Sequence, residues 1–280
     1  MQRTSLKQLL SKGVVVAPGI YDGVSARQAV KAGSRAVYMT GFGVAGSLLG
    51  VPDIGIVSAT EMIDRVRALS AASGAVPLIA DGDNGHGGKA NVERMVRGYE
   101  QAGAAAIQLE DQVLPKRCGH MDGKEVVSLE EGAAKIRAAV QARTSGEFLV
   151  IARTDARSVL GLDEALRRAD AYLRAGADML FVEAPQNIDE LRAIATRFRG
   201  VPLLANMVED GKTPLLSVKE LAEIGFGLVI YPVSALLAAA KTMECVYRRL
   251  LSGAGDDRQN RLTFQDYNEV VGLGSYLNHD

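Results

Sequence analysis

Short apolar runs, rich in β-branched residues, alternate along the chain with longer segments of helical spacing. Each run ends in small, polar or acidic residues, and a glycine announces the next. That alternation predicts parallel strands joined by crossover helices. The predicted strands are Val14–Ala17, Ala36–Thr40, Leu78–Ala80, Ala106–Leu109, Phe148–Ala152, Met179–Val182, Leu203–Ala205 and Leu228–Tyr231. Between them the spacing predicts helices from Asp22, as N-cap, to about Lys31, then over Ser58–Ser70, Asn91–Gln101, a stretch opening near Ser128, Leu162–Arg174, a stretch after Asn187, Ser217–Ile224, and Ser234 to about Leu250. Ser128 and Glu131 have the spacing of a capping box. Gly41-Phe42-Gly43 reads as a loop, and Pro52-Asp53 sits in a longer one.

The helix-to-strand junctions are alike: Ala32-Gly33-Ser34, Ala102-Gly103-Ala104, Ala175-Gly176-Ala177 and Ile224-Gly225-Phe226. Each puts glycine where a helix ends in a left-handed residue. Eight such units in one undivided chain of 280 residues predict a (β/α)8 TIM barrel, an α/β fold, over residues 1–253. An open doubly wound sheet is the alternative, but no glycine fingerprint opens the first helix. A helical extension over 254–280 has no strand to follow. Its apolar positions Phe264, Tyr267, Val270 and Val271 point to packing on a neighbouring subunit. Val233–Ala240, Met243 and Cys245 read as the buried side of the last barrel helix.

Composition adds limits. The chain is 48% hydrophobic, enough for a sizeable core, and has a formal net charge of −1. There is no basic stripe and little aromatic surface for nucleic acid, and no global charge for an anionic membrane. No apolar run reaches membrane-spanning length, and Met1–Lys12 lacks an apolar signal core. Two distant cysteines, Cys118 and Cys245, fit reduced thiols in a cytoplasmic protein better than a disulfide.

The candidate chemistry lies at the predicted strand ends, where such barrels build their active sites. Thr40, Asp81, Asp83, Glu110, Arg153, Glu183 and Asn206 all fall there. Asp and Asn are also ordinary turn formers. The acids Asp81, Asp83 and Glu110, with Asp53, would repel one another without a cation between them, and all-oxygen donors favour Mg²⁺ or Mn²⁺ over zinc. Gly85-His86-Gly87-Gly88 reads as a phosphate cradle or a mobile hinge, with His86 shaping the loop. Lys116-Arg117-Cys118-Gly119-His120 puts a thiol among cations, where it ionises readily, though a basic surface loop has the same composition.

These stretches resemble the isocitrate lyase and phosphoenolpyruvate mutase superfamily. The resemblance rests on Pro18–Asp22, DGDNGHGG from Asp81, EDQVLPKRCGH from Glu110, ARTDAR from Ala152, FVEAP from Phe181 and NMVEDGKTP from Asn206. The EDQ and KRCGH segments place the likeness in the lyase branch, in the group of 2-methylisocitrate lyase, 2,3-dimethylmalate lyase and the petal death protein. That resemblance implies Mg²⁺-dependent retro-aldol cleavage of a 2-hydroxy di- or tricarboxylate. It implies that Asp81 and Asp83 hold the metal, largely through water, with Asp53 and Glu110 in support. Thr40, Gly41 and Phe42 would grip the 2-oxo acid carboxylate, Arg153 would pair with that end, and Glu183 and Asn206 would line the pocket. Cys118 would protonate the departing carbanion, Gly119 and His120 would hold its carboxylate, and Lys116 would stabilise the thiolate. Tyr38, Glu183 or a metal-bound hydroxide stay open as the proton-abstracting base. The resemblance also implies a homotetramer with swapped C-terminal helices.

One departure bears on substrate. Methylisocitrate lyases carry an arginine after the eighth strand that helps bind a third carboxylate; Leu237 stands there in this chain. A leucine cannot pair with a carboxylate, so a 2- or 3-alkylated malate is expected. Oxaloacetate hydrolysis or decarboxylation, methylisocitrate cleavage, and binding of a dicarboxylate without turnover are the alternatives.

Overall fold

A computed structural model describes residues 4–119, 121, 123–255 and 261–277. It opens with α1 (Leu6–Ser11), β1 (Val15–Ile20), α2 (Gly23–Lys31), β2 (Val37–Met39), α3 (Gly41–Leu49), α4 (Ala59–Ser73) and β3 (Leu78–Asp81). Then come α5 (Lys89–Ala102), β4 (Ala106–Glu110), α6 (Leu129–Ala142), β5 (Leu149–Thr154), α7 (Ala156–Leu160), α8 (Leu162–Arg174) and β6 (Met179–Val182). The chain continues through α9 (Ile188–Arg197), β7 (Leu204–Asn206), α10 (Val218–Ile224), β8 (Leu228–Tyr231) and α11 (Ser234–Leu251). Two helices, α12 (Phe264–Val271) and α13 (Leu273–Leu277), follow.

All strand pairs are parallel, in the order β6-β5-β4-β3-β2-β1-β8-β7. The ring closes between β6 and β7, where Leu180 bridges Leu203 and its N–H donates to the Pro202 carbonyl (3.1 Å). The alternation of each strand divides the apolar side chains into two sets. One set, including Val15, Ala17, Tyr38, Ile79, Ile151, Phe181 and Ile230, fills the barrel interior, and Leu6 and Leu9 of α1 belong to the same cluster. The other set packs under the surrounding helices, with Met62, Met95, Tyr99, Ile136 and Leu191.

Local capping sets the helix starts. Asp22 and Ser25 form a reciprocal capping box on α2, as do Ser58 and Glu61 on α4. At α6 only half of the expected box is made: the Ser128 hydroxyl accepts from the Glu131 N–H, while the Glu131 side chain stays out of it. Gly103 ends α5 at φ 93°, in the left-handed region the Ala-Gly-Ala pattern predicted.

Three expectations are overturned. Gly41-Phe42-Gly43 is the first turn of α3, because the Thr40 hydroxyl accepts from the Gly43 N–H (3.3 Å) and caps the helix. The stretch between β5 and α8, for which no element was predicted, contains the short helix α7. Third, α11 has no buried residue in the single chain: Cys245 is exposed, and Met243 is 49% exposed. It touches β1 of its own barrel, but that contact leaves most of its apolar side uncovered. The extension, in turn, rests α12 against α2 of the same chain and leaves Phe264 83% exposed.

Candidate active site

The carboxyl ends of the strands deliver the candidate side chains to one mouth. A cavity of about 290 Å³ opens there, lined by Tyr38, Thr40, Phe42, Asp53, Asp81, Lys116, Cys118, Gly119, Arg153, Glu183 and Asn206. Strand pairing explains the gathering. Glu110 and Arg153 are partners in the β4–β5 register, and Arg153 and Phe181 in β5–β6, with the guanidinium 5.2 Å from the Phe181 ring centre. Asp83 and Glu110 lie just beneath the cavity wall; both are buried. Gly41 is also at the mouth, its N–H donating to Asp81 Oδ2 (3.2 Å). α3 begins here: its Gly41 N–H goes to Asp81 and its Gly43 N–H to Thr40, and Phe42 lines the cavity, so the Phe42 N–H is the first-turn amide placed for an anion. His120 lies outside the described residues.

The mouth is a dense electrostatic cluster. Lys116 Nζ sits 2.5 Å from Asp53 Oδ1 and 2.7 Å from Asp83 Oδ1, with 3% of its side chain exposed. Arg153 reaches Glu110 Oε2 (3.3 Å), Asp155 Oδ2 (2.9 Å) and Glu183 Oε2 (3.4 Å). Burial, reinforced by Asp83, pushes the Asp81 carboxyl up to about 6. Burial also raises Asp53, and it raises Glu110 well above the usual carboxylate range despite Arg153. Burial would raise Asp83 too, but Lys116 and His86 outweigh it and leave that acid below its ordinary value.

Tyr38 is a proton donor here. Its hydroxyl donates to Gln108 Oε1 (2.8 Å), whose Nε2 donates to Asp81 Oδ1 (3.3 Å). Burial and then the Asp81 charge raise the phenol well above its ordinary value.

The four acids expected around one cation do not close on a common point. Among the described residues, no three His, Cys, Asp or Glu side chains form a direct metal cage. Asp53 and Asp83 turn to Lys116 and Glu110 turns to Arg153, because buried carboxylates pair with the cations at hand. The residues nevertheless fit a hard divalent ion carried mainly by water. Carboxylates outnumber cations in the cluster, three of them are raised toward neutrality by burial, and Glu110 Oε1 is buried without a hydrogen-bond partner among the described residues.

The mouth is also backbone-strained. Asp83 (φ 49°), His86 (φ 54°), Ala184 (φ 56°) and Asp210 (φ 58°) are the non-glycine residues with positive φ among those described, and all follow strands at this end. The glycine-rich turn is packed tightly: a Cβ on Gly85 would overlap Val92. It leads into α5 and makes no contact of a phosphate cradle with the cavity lining.

Comparison with known proteins follows the same lines. The model of the phosphoenolpyruvate phosphomutase family matches residues 6–251. The chain belongs to that family. With it comes membership of the phosphoenolpyruvate mutase/isocitrate lyase superfamily of enzymes, as the sequence motifs implied. Family members similar to this chain include the 2,3-dimethylmalate lyase of Eubacterium barkeri, 47% identical over 96% of this chain and 93% of the relative. The 2-methylisocitrate lyase of Aeropyrum pernix is 42% identical over 98% and 89%. Among solved structures, oxaloacetate acetylhydrolase bound to 3,3-difluorooxalacetate superposes with a TM-score of 0.94 at 38% identity, covering 98% of this chain and 94% of that one.

Some residues at the family's mouth escaped the sequence reading. Gln108 bridges Tyr38 and Asp81; its signal was a lone polar residue inside the apolar strand β4. Asp111 turns away from the cavity, accepting from Thr154 Oγ1 (2.7 Å), the Asp155 N–H (2.9 Å), Arg168 Nη1 (3.1 Å) and the Tyr172 hydroxyl (2.8 Å). It ties β4, β5 and α8 together. Glu209 joins the cavity wall, with Ser234 donating to it.

Proposed function

We propose that the protein is a carbon–carbon lyase that splits a 2-hydroxy dicarboxylate, a 2- or 3-alkylmalate such as 2,3-dimethylmalate, into an α-keto acid and a carboxylic acid. The observation that carries this reading is one cavity with both polar and apolar lining. Arg153, Glu183, Asn206 and Thr40 line it together with the Cys118–Gly119 turn, which is pressed on Arg153, and with Val208, Ile230, Val233 and Leu237. The polar groups suit a 2-hydroxy acid. The apolar wall suits an alkyl substituent, and Leu237 offers nothing to a third carboxylate. That argues against a methylisocitrate.

In the reaction, Arg153 and the start of α3 hold the carboxylate of the 2-oxo acid end, while the negative charge that develops as the bond breaks gathers on the carboxylate of the departing fragment. Glu183, which lines the cavity within reach of Asn206 Nδ2 (3.2 Å), takes the hydroxyl proton. The Cys118 thiol protonates the α-carbon of the departing fragment. Gly119, with His120, holds that fragment's carboxylate. Lys116, gripped by Asp53 and Asp83, keeps positive charge beneath the thiol loop. Asp81 and Asp83, with Asp53 and Glu110, would hold Mg²⁺ or Mn²⁺ through water. When bound, that ion acidifies the substrate hydroxyl and steadies the keto acid product.

The test is release of α-keto acid from a panel of alkylmalates, with and without EDTA. Turnover of an alkylmalate that EDTA abolishes is the expected result. No release from any dicarboxylate overturns the reading. A second reading, oxaloacetate hydrolysis, is favoured by the close superposition on oxaloacetate acetylhydrolase; it requires turnover of oxaloacetate that survives Cys118→Ser. Tight dicarboxylate binding without turnover would instead mark a silent binding protein. We place the enzyme in the cytoplasm, where the thiols Cys118 and Cys245 stay reduced, and read it as a homotetramer joined through α11 and the helices after it.

A further inference from the structure

Lys124 follows the thiol loop and is almost wholly buried, with 1% of its side chain exposed. A buried ammonium is costly unless it is paired and hydrogen-bonded. Among the described residues, Lys124 has two partners: Asp155 Oδ1 at 2.9 Å and the backbone carbonyl of Gly119. Asp155 is itself fully buried, and it grips Arg153 with both oxygens, Nε to Oδ2 at 2.9 Å and Nη2 to Oδ1 at 3.1 Å. One carboxylate therefore holds the guanidinium that faces the cavity and the ammonium that holds the loop.

The loop is pressed hard on that pair. A Cβ on Gly119 would overlap Arg153 Nη2 and come within 2.9 Å of Glu183 Cδ. On its other side the loop is tied by the Cys118 N–H to the Asp53 carbonyl (3.1 Å) and by Lys116 to Asp53 and Asp83. Its apolar side chains Val113, Leu114 and Met121 remain exposed, so little burial of its own holds it down.

We infer that Lys124, held by Asp155, is a positioning residue that seats the Cys118–Gly119 turn against Arg153 and so brings the thiol to the substrate. What the thiol does once seated rests on the lyase reading; the seating itself is measured without turnover. The experiment uses Cys245→Ser, which removes the exposed thiol, and follows iodoacetamide labelling of Cys118 by mass spectrometry. Lys124→Met deletes the charged hydrogen bond to Gly119, so the loop opens more often and labelling quickens about tenfold. Lys124→Gln keeps a neutral donor and labels at an intermediate rate. In both variants kcat for the cleaved dicarboxylate falls more than KM rises, because the group that acts after binding is misplaced. Labelling at the wild-type rate in a variant with wild-type circular dichroism and Tm overturns the proposal. Where Lys124→Met does not fold, Lys124→Gln decides; failure of both to fold assigns Lys124 to the fold and also overturns it. If the wild type cleaves no dicarboxylate while the labelling rates differ as stated, the lyase reading falls and the seating stands.

Discussion

Cys118 is half-buried at the cavity edge, with its N–H held by the Asp53 carbonyl. A general acid in that place contributes about 10²–10⁴ in rate, so Cys118→Ser is expected to lower keto acid release by that order. Steady-state assays should find KM little changed, since the serine keeps the volume and the binding residues stay in place. Asp155 supplies a second prediction at this scale. Burial opposes its charge, but Arg153 and Lys124 outweigh burial and hold its carboxyl well below the usual range. A depressed acid contributes stability above its unfolded pKa of about 4 and loses it as pH falls toward the folded value. Thermal unfolding of wild type and Asp155→Asn should therefore differ most near neutrality and converge below about pH 4. A gap that widens with acid would contradict the pairing.

The strands and helices decide which chemistry meets. β4 and β5 set Glu110 opposite Arg153 by register alone, and a slip of one residue would turn both side chains to the wrong face. β1 meets β8 so closely that a Cβ on Gly19 would overlap the Pro232 backbone carbonyl. Backbone cannot yield as a flexible side chain can. Gly19→Ala is therefore expected to cost about 1–3 kcal/mol, read as a lower urea midpoint with an unchanged slope. The start of α3 shows why one element was misread. Gly41-Phe42-Gly43 carries the residues of a loop, and the helix exists because the Thr40 hydroxyl caps it. The same capping logic, applied to Asp22 and Ser128, was legible because a clear helical period followed each.

At the scale of the whole molecule, the barrel is closed and its interior filled, but one side lacks cover. Leu237, Tyr247, Leu250 and Leu251 of α11 are exposed, as are Phe264, Tyr276 and Leu277 beyond it. Apolar surface on that scale marks an interaction face. The protein is expected to sediment as a multimer, and Leu251→Asp, at a residue 89% exposed in the single chain, to shift it to smaller species with its circular dichroism intact. A wild type that sediments as one chain would refute this. The misreading of Cys245 and Met243 as core has the same origin. Helical period reports which face is apolar, and it does not report what covers that face.

The sequence by itself determined the eight-fold repeat, most strand and helix positions, and which polar residues end strands. These follow from periods of two and 3.6 and from glycine at helix ends, which are local properties of the chain. It also carried the family motifs. Only the tertiary structure decided who pairs with whom. Asp53 and Asp83 close on Lys116, Asp155 joins Arg153 to Lys124, and Gln108 links Tyr38 to Asp81. Apart from Asp155 and Arg153, those partners stand far apart in the chain, and their pairing is settled by barrel register and by the cost of leaving any charge alone in a buried mouth.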